Sequence, residues 1–155
     1  MIIRKAETVD AAVIVSLLHQ VLEVHAALRP DLFITGTTKY NEAEVAALLS
    51  DSSYRVFVAD ENGKILGYAV CIIKDESETN ATYPHKTFYI DDICVDEGSR
   101  GKSVGQKLFL RAKEEAMALS CYNITLNVWA GNDGARAFYE KMGLSPKKTE
   151  MELIL

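Results

Sequence analysis

The sequence predicts a mixed α/β fold in a single domain over residues 1–155, and three observations predict it. The first is a hairpin: the β-rich runs Tyr54–Ala59 and Lys64–Ile73 are joined through Asp60-Glu61-Asn62-Gly63, and Asn-Gly between such runs is the strongest short-range turn signal. The second is helical periodicity in two segments before the hairpin and two after it, with apolar strand-like runs between. The third is size: 155 residues, 48% hydrophobic and 25% charged, suffice for one real core, and no linker, repeat or low-complexity stretch divides them.

In chain order, Met1–Lys5 reads as a short first strand. Thr8 or Asp10 can cap a helix that carries Val9, Val13, Leu17, Val21, Val24 and Leu28 at helical spacing. Arg29-Pro30-Asp31 ends it, because proline forces the preceding residue out of helical geometry. Asp31–Thr38 reads as a loop whose Phe33 and Ile34 either staple it to the core or line a pocket. A second helix spans about Asn41–Leu49, with Val45, Leu48 and Leu49 on one side, and leads to the hairpin. Asp75–His85 is polar, contains Pro84 and reads as a mobile loop. A strand at Thr87–Val95 follows, then a helix from about Gln106 to Leu119 that buries Val104, Leu108, Ala112, Ala116 and Leu119. Cys121–Trp129 alternates as another strand. Gly131-Asn132-Asp133-Gly134 opens a last helix carrying Ala135, Phe138, Tyr139 and Met142, with Gly143 at its C-cap. Thr149–Leu155 reads as a closing strand.

Composition narrows the function classes. A net charge of −5 argues against a broad basic nucleic-acid surface and is compatible with a small cationic substrate. No run has the length of a membrane span, and Met1-Ile2-Ile3-Arg4-Lys5 lacks a signal-peptide pattern, so no membrane partner is expected. Cys71, Cys94 and Cys121 are odd in number and lack CxxC spacing, which reads as reduced, buried thiols in a cytoplasmic protein. No motif sets a histidine beside Cys94, so a cysteine nucleophile is not expected. His19, His25 and His85 have no metal-ligand spacing, and no metal is expected. His25 and Arg29, beside the loop with Asp31 and Phe33, are candidates for an acceptor site, as are Tyr83 and Phe88; Trp129 reads as packing.

The most informative stretch is Arg100-Gly101-Lys102-Ser103-Val104-Gly105, between a strand and a helix start. Backbone N–H groups in such a turn, with the positive end of the helix dipole behind them, form a place to hold phosphate. It is not a Walker P-loop, because no glycine lies four residues before Gly-Lys-Ser. Read together with Asn132-x-x-Ala135-x-x-Phe138-Tyr139-x-x-x-Gly143-Leu144, it resembles the GNAT superfamily of N-acetyltransferases, whose phosphate turn reads Arg/Gln-x-x-Gly-x-Gly/Ala; here Ser103 replaces the middle glycine. The resemblance covers essentially the whole chain. It implies a mostly antiparallel sheet flanked by helices, with two parallel central strands splayed apart, acetyl-CoA as cosubstrate and an amine as acceptor. Residue by residue, it implies that the backbone of Ile93, Cys94 and Val95 binds the pantetheine arm like an added strand. It puts the pyrophosphate on the N–H groups of Arg100, Gly101, Lys102, Ser103, Val104 and Gly105, and the cofactor arm near its sulfur on Asn132. Tyr139 becomes the general acid that protonates the leaving thiolate.

Asp91-Asp92-Ile93-Cys94-Val95 is similar to the Glu-Asp pair of the polyamine acetyltransferase branch. That likeness makes Asp91 a general base, acting directly or, since aspartate is short, through a water relay, and has Asp92 bind the cationic substrate or order a nearby loop. Neighbours on a strand face opposite ways, so at most one of the pair is expected to face the core unless a bulge intervenes. The sequence thus points to direct acetyl transfer to a small, preferably cationic, primary amine. A protein N-terminal or lysine acetyltransferase, a catalytically idle acyl-CoA-binding or sensory module on the same fold, and a structural protein remain the alternatives. The apolar end Met151-Glu152-Leu153-Ile154-Leu155 can pair or pack across a homodimer.

Overall fold

The computed structural model describes residues 1–155. Strand β1 (Ile2–Lys5) leads through a 3₁₀ turn (Thr8–Asp10) to helices α1 (Ala11–Leu28) and α2 (Glu42–Ser50). Strands β2 (Tyr54–Glu61), β3 (Lys64–Glu76) and β4 (His85–Val95) follow, then helix α3 (Val104–Ala118), strand β5 (Asn123–Thr125) and helix α4 (Asp133–Lys141). The five strands form one sheet in sequence order, antiparallel from β1 to β4. β5 alone pairs in parallel, on β4, which requires a crossover, and α3 supplies it.

Side-chain alternation along the hairpin builds a core on each face of this sheet. Phe57 and Ala59 of β2, with Ala69 and Cys71 of β3, lie with Leu108, Phe109 and Ala112 of α3. Val56 and Val58, with Tyr68 and Val70, lie with Ile14, Leu17 and Leu18 of α1 and Val45 of α2. Arg4 ties the edge strand down: its guanidinium bonds both carboxylate oxygens of Asp10, at 2.7 and 2.9 Å, and Asp60 at 2.9 Å. At Gly67, a Cβ would come within 2.5 Å of the Cys94 carbonyl oxygen and 3.2 Å of Val104, so only glycine lets β3 lie this close to β4 and α3.

Several expectations are corrected. The buried stripe of α1 is Ala11, Ile14, Leu17, Leu18 and Ala26, whereas Val9, Val13 and Val24 face solvent. The 3₁₀ turn before α1 sets this phase, with Asp10 accepting from the Glu7 N–H at 2.8 Å. Residues 8–28 are also long and apolar enough to cross a membrane, with a mean hydropathy of 1.6, contrary to the sequence reading. Here that helix seats Ile14, Leu17 and Leu18 against the sheet, which accounts for its apolar character. β3 and β4 take only the ends of the polar segment expected as a loop, pairing out to Glu76 and His85, and residues 77–84 connect them. β5 is three residues long instead of nine. No strand forms at Thr149–Leu155.

Gly67→Ala is expected to lower stability by about 1–3 kcal/mol, because the new methyl group meets backbone instead of a yielding side chain. A shift in the urea midpoint at unchanged slope checks it.

Candidate active site

β4 keeps β3 beside it out to Val95, through the pairs Ala69–Ile93, Tyr68–Cys94 and Gly67–Val95. It keeps β5 only for Thr87, Phe88 and Tyr89. Beyond Tyr89 the parallel strands part, as the resemblance implied, and the backbone of Ile93, Cys94 and Val95 has no strand on that side. An extended ligand can pair there.

The turn expected to hold phosphate follows directly. Gly101 has φ +79° and Ser103 has φ +59°, so Ser103 takes the left-handed geometry that the expected glycine adopts without strain. Val104 begins α3, two residues earlier than expected, and presents the helix N-terminus to the turn. Arg100 and Lys102 are exposed beside it. Gly105 sits where three elements meet: a Cβ there would lie 3.5 Å from Phe138 of α4 and from Val95 of β4.

Asp91 and Asp92 share one face of the sheet. β3 pairs Val70 with Asp92 and Cys71 with Ile90, which leaves Asp91 as an extra, unpaired residue in a β-bulge. Asp91 turns to the loop before α2, where its Oδ2 accepts from Lys39 Nζ at 2.7 Å and from the Tyr40 hydroxyl at 3.4 Å. Burial works against charge on Lys39, yet the hydrogen bond and charge of Asp91 lift its pKa above the ordinary lysine value. Asp92 accepts from the hydroxyl of the fully buried Tyr68 at 2.8 Å. Burial pushes Asp92 up to about 6, although Tyr68 and Lys39 favour its charged form.

Tyr139 belongs to the opposite face, with the α3 core. Phe138 packs edge-on against it at 5.1 Å between ring centres. Its hydroxyl makes no hydrogen bond within the chain, and the one buried side-chain oxygen or nitrogen without a partner is Asn123 Oδ1, so solvent reaches that hydroxyl. Burial, then the charge of Asp92 and the proximity of Cys71, hold the phenol well above its ordinary pKa. The phenol therefore stays protonated through the neutral range. Asn132 Oδ1 accepts from the Ala135 N–H at 3.2 Å and so caps α4, leaving its side-chain amide hydrogens without a protein acceptor. Cys94 is buried and pushed up to about 12, with its thiol donating to the Leu17 carbonyl at 3.5 Å, in keeping with the expectation that it is no nucleophile.

Of the acceptor-site candidates, His25 and Arg29 join Phe33 and Trp129 in a cluster that ties the end of α1 to the chain after β5. Arg29 lies over Trp129 at 5.9 Å, and Phe33 meets Trp129 edge-on at 5.4 Å. Phe88 is core, and Tyr83 is exposed. Lys39, Tyr40 and Tyr68 were missed. Tyr68 reads as one more apolar strand residue, and a loop lysine carries no signal of a carboxylate 52 positions away.

Because Asp92 stays protonated in the fold up to about pH 6 but ionises near the ordinary aspartate value of 3.8 when unfolded, its burial costs nothing at low pH and costs most above 6. Asp92→Asn is therefore expected to gain stability over wild type as pH rises from about 4 to 6, reaching about 1–3 kcal/mol. Denaturation of both proteins at pH 4 and pH 8 checks this.

The model of the acetyltransferase (GNAT) family matches residues 21–144 of the chain. An uncharacterised N-acetyltransferase of Bacillus subtilis, YhfO, is 31% identical over 144 residues, 92% of this chain and 89% of that one. Glucosamine 6-phosphate N-acetyltransferase of Arabidopsis thaliana is 28% identical over 97 residues, 54% of this chain and 63% of the plant enzyme. Among solved structures, a mutant of the BH1408 protein of Bacillus halodurans superposes with a TM-score of 0.96 at 34% identity, covering 100% of this chain and 99% of that one.

Proposed function

We propose that this chain, which belongs to the GNAT family of acetyltransferases, moves the acetyl group of acetyl-CoA directly onto a primary amine, with Asp92 as general base and Tyr139 as general acid. The family makes it an acetyltransferase that uses acetyl-CoA as cosubstrate; the acceptor and the roles of individual residues are our reading. The observation that carries it is the opening between β4 and β5, with two carboxylates on one face of the sheet and a protonated phenol on the other. An amine held at the carboxylates would approach the thioester carbon from one side, and the thiolate would leave past Tyr139 on the other.

An alkylamine with a pKa near 10 arrives protonated and must lose that proton before it attacks. Asp92, pushed up to about 6, is far better matched to that transfer than an ordinary aspartate. Asp91, the base expected from sequence, is bound to Lys39 at 2.7 Å, and this supports giving it the other role, anchoring the acceptor's ammonium in exchange for that lysine. The two aspartates thus exchange their expected parts. On attack the N–C bond forms, the C–S bond breaks, and Tyr139 gives its proton to a thiolate of pKa about 8.5. Backbone N–H groups at the free edge of β4, at Cys94 or Val95, are placed to receive the developing oxyanion. The unpaired edge at Ile93, Cys94 and Val95 suits the pantetheine arm, the turn Arg100–Gly105 suits its phosphates, and the spare amide hydrogens of Asn132 suit an acceptor on the arm. Holding both substrates together supplies much of the acceleration.

The acidic pair favours a small cationic acceptor, a polyamine among them. A second reading takes an amino-sugar phosphate: the Arabidopsis relative is named for glucosamine 6-phosphate, and Lys39 offers a cation for a phosphate at the mouth of the site.

Thiol release from acetyl-CoA with a panel of polyamines, glucosamine 6-phosphate, aminoglycosides and short peptides tests the proposal. Turnover with one class is expected, and Tyr139→Phe should lower kcat by about 100- to 1,000-fold with little change in KM. Equal kcat for the two proteins would remove the acid role. Acetyl-CoA binding without turnover on any amine would favour the idle module.

The acidic limb of kcat/KM is expected to bend at an apparent pKa of about 6 and to disappear in Asp92→Asn. A limb unchanged in that variant would return the base to Asp91.

A further inference from the structure

We infer that the acceptor carries an anionic oxygen group, carboxylate or phosphate, beside its amine, and that Lys74 and Lys39 receive it. This rests on acetyl transfer to a primary amine as proposed above, and it sets a zwitterionic acceptor above a polyamine. The place is the face of the sheet that carries Asp91 and Asp92, along β3 and β4 past the core under α1 and α2. Tyr68 and Val70 of β3 are buried in that core, and alternation puts Ile72 and Lys74 on the same face. On β4, Tyr89 pairs with Ile72 and so shares that face with Asp91. Lys74 and Tyr89 are half-buried there.

Lys74 is a cation without an anion. Its ammonium stands over the Tyr89 ring, 3.6 Å from the ring centre, and meets no carboxylate of the chain. The ring quadrupole attracts the charge but leaves N–H donors for a further partner. The ring itself is held, because Asn127 donates to the Tyr89 hydroxyl at 3.2 Å. Burial and then the charge of Asp91 raise the Tyr89 phenol, while Lys39 opposes them. Tyr89 thus has Lys74 on its ring and the Lys39–Asp91 pair within the field of its hydroxyl.

Charge balance decides between acceptors. The face holds two ammonium groups, Lys39 and Lys74, and two carboxylates, Asp91 and Asp92. An alkylammonium that takes Asp91 leaves Lys39 without its carboxylate and brings a third cation to the same face, where like charges repel. A diamine brings a fourth. An acceptor with an anion beside its amine exchanges one ion pair for two: its ammonium goes to Asp91, and its anion goes to the released Lys39 and the waiting Lys74. Each of these contacts is a charge-assisted hydrogen bond, stronger than a neutral one. The spacing agrees. Residues two apart on a strand lie about 7 Å from each other, so a chain of a few carbons reaches from Asp91 to the Tyr89 ring.

Binding to the nitrogen-15-labelled full chain with CoA present, followed through its amide NMR signals, tests this without any turnover. The probes are ω-amino acids of three to six carbons, their amides, and diamines of equal length. Glucosamine 6-phosphate beside glucosamine, and 2-aminoethyl phosphate beside ethanolamine, separate phosphate from carboxylate. At least one acid or phosphate is expected to bind about 10-fold or more tighter than its uncharged counterpart, and to shift the amides of Lys74 and Tyr89. Lys74→Met should cut that preference to about threefold or less, and Lys74→Arg should keep most of it. Amides and diamines that bind as tightly as every acid and phosphate would overturn the inference and leave acetyl transfer to an amine standing. A preference that survives Lys74→Met at full size would overturn it too, as would no measurable binding of any acid or phosphate. Thiol release, measured separately, reports on the proposed function, so the two can fail independently.

Discussion

The chemistry depends on β4 keeping one neighbour and losing the other. From Ile90 onward it holds β3 but not β5, so a row of backbone groups in the middle of the sheet has no strand on one side. Unpaired backbone in a protein interior is costly unless something else satisfies it. An extended ligand that pairs like a strand is one solution, and the rest of the fold is arranged to receive it. A parallel partner requires a crossover, the crossover here is α3, and α3 must start where β4 ends. The turn with left-handed Gly101 and Ser103 therefore lies in line with the open edge. Gly105 lets α4 come up against the same junction, bringing Tyr139 to the opening.

The bulge is the second constraint. Two adjacent residues of a regular strand cannot both present carboxylates to one face, and the extra residue at Asp91 allows it. The two charges then share a confined space, and each is handled differently. Asp91 gains a cation, Lys39. Asp92 bonds the Tyr68 hydroxyl and feels Lys39 at a distance, and burial outweighs both and pushes its proton affinity up toward neutrality. One backbone irregularity thus places two chemically identical side chains in different surroundings, one paired with a cation and the other with its proton affinity raised.

Much of this was legible in the sequence. The hairpin turn, the phase of α3 and the turn between β4 and α3 rest on local rules: an Asn-Gly pair, apolar spacing, and glycines beside a helix start. The parting of β4 from β5 came only with the family likeness. What was not legible depends on residues far apart in the chain. The buried stripe of α1 is set by a 3₁₀ turn, so counting valines at helical spacing selected the wrong side, Val9, Val13 and Val24. The pattern of Thr149–Leu155 is that of a strand, yet no strand forms there, because pattern alone supplies no edge to pair with. The different surroundings of Asp91 and Asp92 depend on Lys39 and Tyr68, which lie 52 and 24 positions away.

With Asp91 as the acceptor's anchor, as proposed, its contact with Lys39 would also set an admission threshold. A bare carboxylate at the mouth of a site would gather any passing cation, from ammonium salts to stray polycations. Here the place is already taken by a tethered ammonium of the enzyme's own, on a side chain still half exposed and free to swing away. In that proposal an incoming amine would have to outcompete a neighbour that never diffuses off, so charge alone would be a poor ticket and affinity would come from further contacts along the acceptor. The resting pocket is in effect self-neutralised, and selectivity begins before any acyl group moves.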